Sequence, residues 1–92
     1  MALSRRWTQR PIRLSRHARN AVRLYEILDE EIEATIDDPD DEAEERGRRV
    51  GLKRFGDRFS RSPLKVVYVV EREVVVVTAY PVLRSYRRRS TR

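Results

Sequence analysis

The stretch LKVVYVVEREVVVVTAY, residues 64–80, decides the fold. It holds two runs rich in β-branched residues, Leu64 to Val70 and Val74 to Tyr80, separated by Glu71, Arg72 and Glu73. Valine and tyrosine at this density favour a pleated, packed surface, and a short charged break between two such runs reads as a β-hairpin. Nearly every position of both runs is apolar, so both strands are expected at the centre of a sheet, covered on both faces. Pro81 offers no N–H to a ladder and is expected to end the second strand.

Upstream of the hairpin, residues 48–55 alternate. Val50 and Leu52 fall on one side, and Arg49, Lys53 and Phe55 on the other, with Gly47 and Gly56 as brackets. This is a third strand. Residues 41–46 are polar and fit an edge strand, and residues 57–63 read as a loop. Before Pro39 the period is helical. Ser15 is placed to cap a helix beginning at Arg16, in which Ala18, Ala21, Val22 and Tyr25 form one apolar stripe. Arg16, Arg19 and Arg23 run along a neighbouring face. Asp29 is the cap expected for a second helix, with Ile32 and Ile36 as its apolar edge and Glu30, Glu31 and Glu33 near its positive end. Pro39 stops it, because the residue before a proline is pushed out of the helical region.

Helix, helix, then strands predicts an α+β domain over residues 12–81. The expected architecture is two N-terminal helices packed on one face of a three- to four-stranded antiparallel sheet. Residues 1–11 read as a flexible basic arm and residues 82–92 as a basic C-terminal tail. Trp7 in the arm either docks on the body or stacks on a base.

At 92 residues and 11.0 kDa the chain holds one domain. Without cysteine it can form neither a disulfide nor a thiolate metal site, and its single histidine excludes any site needing two imidazoles. No metal or cofactor is expected. No apolar run approaches the ~18 residues that span a bilayer, and the charged N-terminus lacks the apolar core of a signal peptide. The expectation is a soluble cytoplasmic protein with no membrane partner.

The net charge of +6 is unevenly spread. Residues 1–25 hold seven arginines and no acid, residues 26–45 hold twelve acids and no base, and residues 46–92 hold fourteen cationic residues against three acids. Only Lys53 and Lys65 are lysines. Arginine forms bidentate contacts with phosphate, so the basic segments favour a polyanionic partner.

Few residues are able to carry chemistry. His17 is the one side chain whose ordinary pKa lies near neutrality, and it neighbours Arg16 and Arg19. Arg49 and Lys53 share a strand face, next to Arg54, and cations there can hold a phosphate and stabilise a pentavalent transition state. Thr78 and Tyr80 share a face of the last strand, and Tyr80 can donate a proton or stack on a base. Each also has a plain reading: a surface histidine, a solvated sheet face, and core hydroxyls. The acidic run from Asp37 to Glu45 lacks the spacing of a calcium loop. Cleavage of a nucleic acid without metal leaves attack by the RNA 2′-OH on its neighbouring phosphate. With one histidine, the acid–base pair is mixed, for example His17 with Lys53 or Tyr80.

The opening Ile12-Arg13-Leu14-Ser15-Arg16-His17-Ala18-Arg19 resembles the apolar-x-apolar-Ser-x-His-Ala-x-x-Arg stretch of the small bacterial domain family of unknown function numbered 4258. The acidic helix ending in Asp38-Pro39, the basic strand, and the hairpin closing on Val76-Val77-Thr78-Ala79-Tyr80-Pro81 follow that family's order, over about residues 12–81. The more apolar Val22-Arg23-Leu24-Tyr25 departs from it, as do the basic flanks. That family in turn resembles RelE-type toxins of the barnase, colicin and RelE-like group of metal-independent ribonucleases. The resemblance implies a RelE-like fold, endoribonuclease activity on RNA, ribosome-bound messenger included, and an antitoxin partner. On the matching positions the resemblance implies roles for His17, for Lys53 or Arg54 in the basic strand, and for Thr78 with Tyr80 in the last strand. Taken with the reading of the residues, the expected catalytic set is His17, Lys53 and Tyr80, and the expected nucleic-acid contacts are Arg16, Arg19, Arg49, Arg54 and Thr78.

Three readings stay open at this point: a ribonuclease toxin of a toxin–antitoxin pair, a non-catalytic module that binds RNA or DNA, and a protein-interaction domain acting through its acidic segment. A homo-oligomer through an exposed sheet edge is compatible with each.

Overall fold

The computed structural model describes residues 11–82. The basic arm with Trp7, and the tail beyond Val82, lie outside the described residues. The elements are β1 (Ile12–Leu14), α1 (Arg16–Tyr25), α2 (Asp29–Asp37), β2 (Asp41–Glu45), β3 (Arg48–Lys53), a short 3-10 turn (Arg58–Arg61), β4 (Leu64–Val70) and β5 (Val74–Pro81). The class is α+β, as expected. The sheet is not a purely antiparallel three- or four-stranded meander: it has five strands in the order β1-β5-β4-β3-β2, and β1 runs parallel to β5. Three residues are too few to show a strand's alternation in sequence, and β1 is specified by pairing with a strand 62 positions away, Ile12 beside Val74.

Both helices lie on one face. Leu64, Val66 and Tyr68 of β4, and Val74, Val76 and Ala79 of β5, form one core with Ala18 of α1, Ile27, and Ile32 and Ile36 of α2. Among the described residues, helices cover β4 and β5 on this face alone, where coverage of both faces was expected. Val67, Val69 and Val75, on the other side, are only half-buried, and no described helix stands over them. Among the strand residues of that open face only Val50 is buried.

Ser15 caps α1 as the sequence implies. Its hydroxyl accepts the Ala18 N–H at 3.1 Å and donates to the Val77 carbonyl at 2.9 Å, while its own N–H donates to Val76 at 3.0 Å. One side chain thus ends the strand–helix turn and fastens α1 to β5. The stripe of α1 is narrower than expected, with Ala18 fully buried and Tyr25 42% exposed.

The cap of α2 is Leu28, not Asp29. Glu31, three residues on, reaches back to accept the Leu28 N–H at 2.9 Å, so the carboxylate supplies the cap that the side chain at the first position lacks. Glu31 is buried, and Arg58 closes on it with two bonds, Nε at 2.6 Å and an Nη at 2.8 Å. This pair pins the loop after β3 to the start of α2. Gly51 sits where α2 crosses β3: a Cβ there would lie 2.9 Å from the Thr35 carbonyl oxygen. Pro81 is the last residue of β5, paired with Leu64.

No helix among the described residues is long and apolar enough to cross a membrane. Those residues also hold no group of three or more His, Asp or Glu side chains placed to bind a metal.

Candidate nucleic-acid interface

A β-bulge sets which side chains reach the open face. Val67 pairs with Thr78, and the next residue of β4, Tyr68, pairs with Val76, so Val77 is an extra residue in β5. Before the bulge, Val74 and Val76 point into the core; after it, Ala79 does. Strict alternation from Val74 would have placed Thr78 and Tyr80 under the helices. The extra residue turns them to the open face, beside Val67 and Lys65.

There they line a cleft of about 490 Å³ with Glu45, Arg46, Arg48, Lys65 and Val67. Each wall has a local cause. Arg46 and Gly47 both have positive φ, 52° and 80°, and join β2 to β3 in a two-residue turn that holds Arg46 at the tip. Glu45 and Arg48 flank the turn as a cross-strand pair. Lys65 and Tyr80 are opposite each other, and the Lys65 ammonium lies 5.6 Å from the centre of the Tyr80 ring. Lys65, Thr78 and Tyr80 are half-buried and fixed by the strands, whereas Arg46, Arg48 and Glu45 are exposed at the rim. The cleft thus offers three cations for phosphate oxygens, an aromatic ring for a base, a hydroxyl, and one carboxylate.

Of the residues singled out from sequence, the structure brings only Thr78 and Tyr80 into this cleft. His17, Arg16 and Arg19 are exposed on α1, on the opposite side of the sheet. Arg49 pairs with Tyr68 and Lys53 with Leu64, so both point to the helix side. Lys53 is engaged there: its ammonium donates to the Asp38 carbonyl at 2.8 Å and lies 3.5 Å from the Asp38 carboxylate and 3.8 Å from that of Asp40. It clips the end of α2 to the end of β3. Arg54 is exposed, and its backbone N–H donates to Asp40 at 2.9 Å. His17, Lys53 and Tyr80 therefore do not form one site in this fold.

Sequence reading missed Lys65, Arg46, Arg48 and Glu45. For Lys65 a signal was present, since it is the only charge inside the seven residues of β4. The other three are placed by the turn.

Residues 11–82 carry thirteen cationic residues and all fifteen acids, and the other eight arginines lie in residues 1–10 and 83–92. The described domain is thus slightly acidic, and its cations matter by where they gather. The acids of β2 stand at one edge of the sheet, while Lys65 lies on its central strand. The chain matches no protein-family model, no curated protein and no solved structure.

Proposed function

We propose that the chain binds single-stranded RNA on the open face of its sheet. Arg46, Arg48 and Lys65 hold the phosphate backbone, and Tyr80 stacks on a base. The observation that carries this reading is the gathering of three cations, a phenol and a hydroxyl in one cleft, on the face that no described helix covers. The arginines of the two flanks add sequence-independent attraction to the same polyanion.

A titration of labelled single-stranded RNA with the full chain tests it. Tyr80→Ala is expected to weaken binding by about 1–3 kcal/mol, the worth of one stacked base. Lys65→Ala is expected to lower the slope of log K against log salt by roughly 0.7, one phosphate contact. His17→Ala, on the other side of the sheet, leaves both unchanged. If the flanks carry all the affinity, the cleft variants bind like the parent chain, and the reading fails. A duplex DNA competitor that displaces the RNA at equal concentration would replace RNA with nucleic acid in general.

One observation favours a second reading, the metal-independent ribonuclease that the family resemblance implies. Glu45, Lys65 and Tyr80 line the same cleft. In that reading Glu45 takes the proton of the 2′-OH as its oxygen bonds to the adjacent phosphorus. Arg48 neutralises the equatorial oxygens, and the departing 5′-oxygen takes a proton from Tyr80 or Lys65. The products are a 2′,3′-cyclic phosphate and a 5′-hydroxyl. Fragments with those ends, formed in a chelator and lost in Glu45→Gln, establish it; bound but intact RNA removes it.

A further inference from the structure

Every large apolar side chain left exposed among the described residues falls in the turn from α1 to α2: Leu24 is 72% exposed, Tyr25 42% and Leu28 54%. The local chain explains why. Glu26 takes the left-handed conformation, φ 54° and ψ 47°, and the Ile27 N–H donates to the Val22 carbonyl at 2.9 Å, a Schellman-type end to α1. That reversal turns Ile27 into the core and leaves its neighbours outside. We infer that this patch is the centre of a two-fold interface with a second copy of the chain, in which the arginines of α1 on one protomer meet the first carboxylates of α2 on its partner.

Three observations point to this occupant. The first is rigidity. The turn is held on both sides: Ile27 is buried behind it, the Leu28 N–H donates to the Glu31 carboxylate at 2.9 Å, and an Nη of Arg58 donates to the Glu26 carbonyl at 2.9 Å. The exposed side chains stand on fixed backbone, so a partner has little left to order. The second is charge. Arg16, Arg19 and Arg23 are exposed on α1 before the patch, and Glu26, Asp29 and Glu30 are exposed within and after it. Among the described residues no ion pair joins the two sets. A two-fold axis through the patch sets the basic side of each protomer against the acidic side of the other. A nucleic acid or a wholly acidic protein would meet the arginines but would also face the carboxylates, whereas a second copy satisfies both. The third is composition. Two leucines and a tyrosine inside a charged rim have the anatomy of a protein–protein contact, and a phosphate backbone gains nothing from the leucines. The inference does not depend on the RNA reading, because the patch lies on the helix side of the sheet and the cleft of Lys65 and Tyr80 on the other.

Light scattering on the full chain through a concentration series tests it, and the expected result is a mass that rises to twice that of one chain. Leu24→Asp should raise the dimer dissociation constant roughly tenfold or more while far-UV circular dichroism stays native. Arg19→Glu with Arg23→Glu, and separately Asp29→Lys with Glu30→Lys, should each give monomers. An equimolar mixture of those two double variants should recover the dimer mass, because an all-acidic face then meets an all-basic one. Misfolding cannot produce that recovery, and Leu24→Asp tests the patch even where a charge reversal disturbs folding. A parent chain that stays monomeric at its highest soluble concentration overturns the proposal, and so does a mixture of the folded double variants that stays monomeric. A dimer untouched by Leu24→Asp and by both reversals overturns the choice of surface. A monomeric parent whose affinity for single-stranded RNA falls on arginine reversal assigns α1 to nucleic acid and overturns the second copy.

Discussion

The two faces of the sheet are made by the same strands and largely the same residue type, yet one is a core and the other a surface. On the helix side Leu64, Val66, Tyr68, Val74 and Val76 are at most 1% exposed. On the other side their neighbours Lys65, Val67, Val69 and Val75 remain half-buried. What differs is the partner: two amphipathic helices complete one face, while a rim of charge borders the other. The bulge at Val77 links the two, because one extra residue moves Thr78 and Tyr80 from the first environment to the second.

The sharpest way to break this comparison is to truncate adjacent residues of β4. Leu64→Ala leaves a cavity in the core and should cost about 2–5 kcal/mol in urea unfolding. Lys65→Ala, one residue on, should stay within about 0.5 kcal/mol, as surface changes do. Equal costs would mean that the open face is packed as tightly as the core.

A smaller effect is expected at the link between α1 and the bulge. Ser15→Ala removes both the cap on Ala18 and the bond to the Val77 carbonyl, and should cost about 1 kcal/mol. Amide resonances of Val77 and Thr78 should move more than those of Val74 if Ser15 also holds the bulge. Uniformly small shifts would assign the bulge to the strands alone.

The smallest effect at neutral pH concerns Glu31, and it appears as a slope. Its bond from Arg58 first, then the Leu28 N–H, hold its carboxyl below the ordinary 4.5, against the opposing pull of burial. A depressed carboxyl pKa contributes stability that is fully present above the unfolded value and is lost as pH falls through the folded one. Glu31→Gln should flatten the fall in stability below about pH 4.5, with a modest loss at pH 7 because Arg58 is partly solvated. An unchanged acid slope would remove Glu31 from the account.

The α+β class, both helices, the cap at Ser15 and the 64–80 hairpin were legible because each rests on local chemistry: a hydroxyl before a 3.6-residue stripe, or a β-branched run with a break. Three features were not. β1 is three residues long and is specified by β5 rather than by its own pattern. The cap of α2 shifts by one residue because Glu31 reaches back to Leu28, and such a side-chain return leaves no periodic trace. The bulge reverses the facing of Thr78 and Tyr80, and alternation counted from Val74 carries no sign of it. The candidate site was illegible for that last reason, and because Lys53, the basic residue in the strand expected to bear it, is turned toward the acids that follow α2.

The all-exposed acidic strand β2 has a bearing on how this chain survives at high concentration. A valine-rich hairpin is the kind of segment that stacks into cross-β fibrils when its edges are open. Here β4 and β5 are both interior to the sheet, and the two outer positions go to a strand of three residues and to one with four carboxylates among its five residues. A neighbouring copy approaching β2 meets like charge, and one approaching β1 finds little ladder to extend. Replacing the acids of β2 with valine would therefore show up first as turbidity, before any loss of fold.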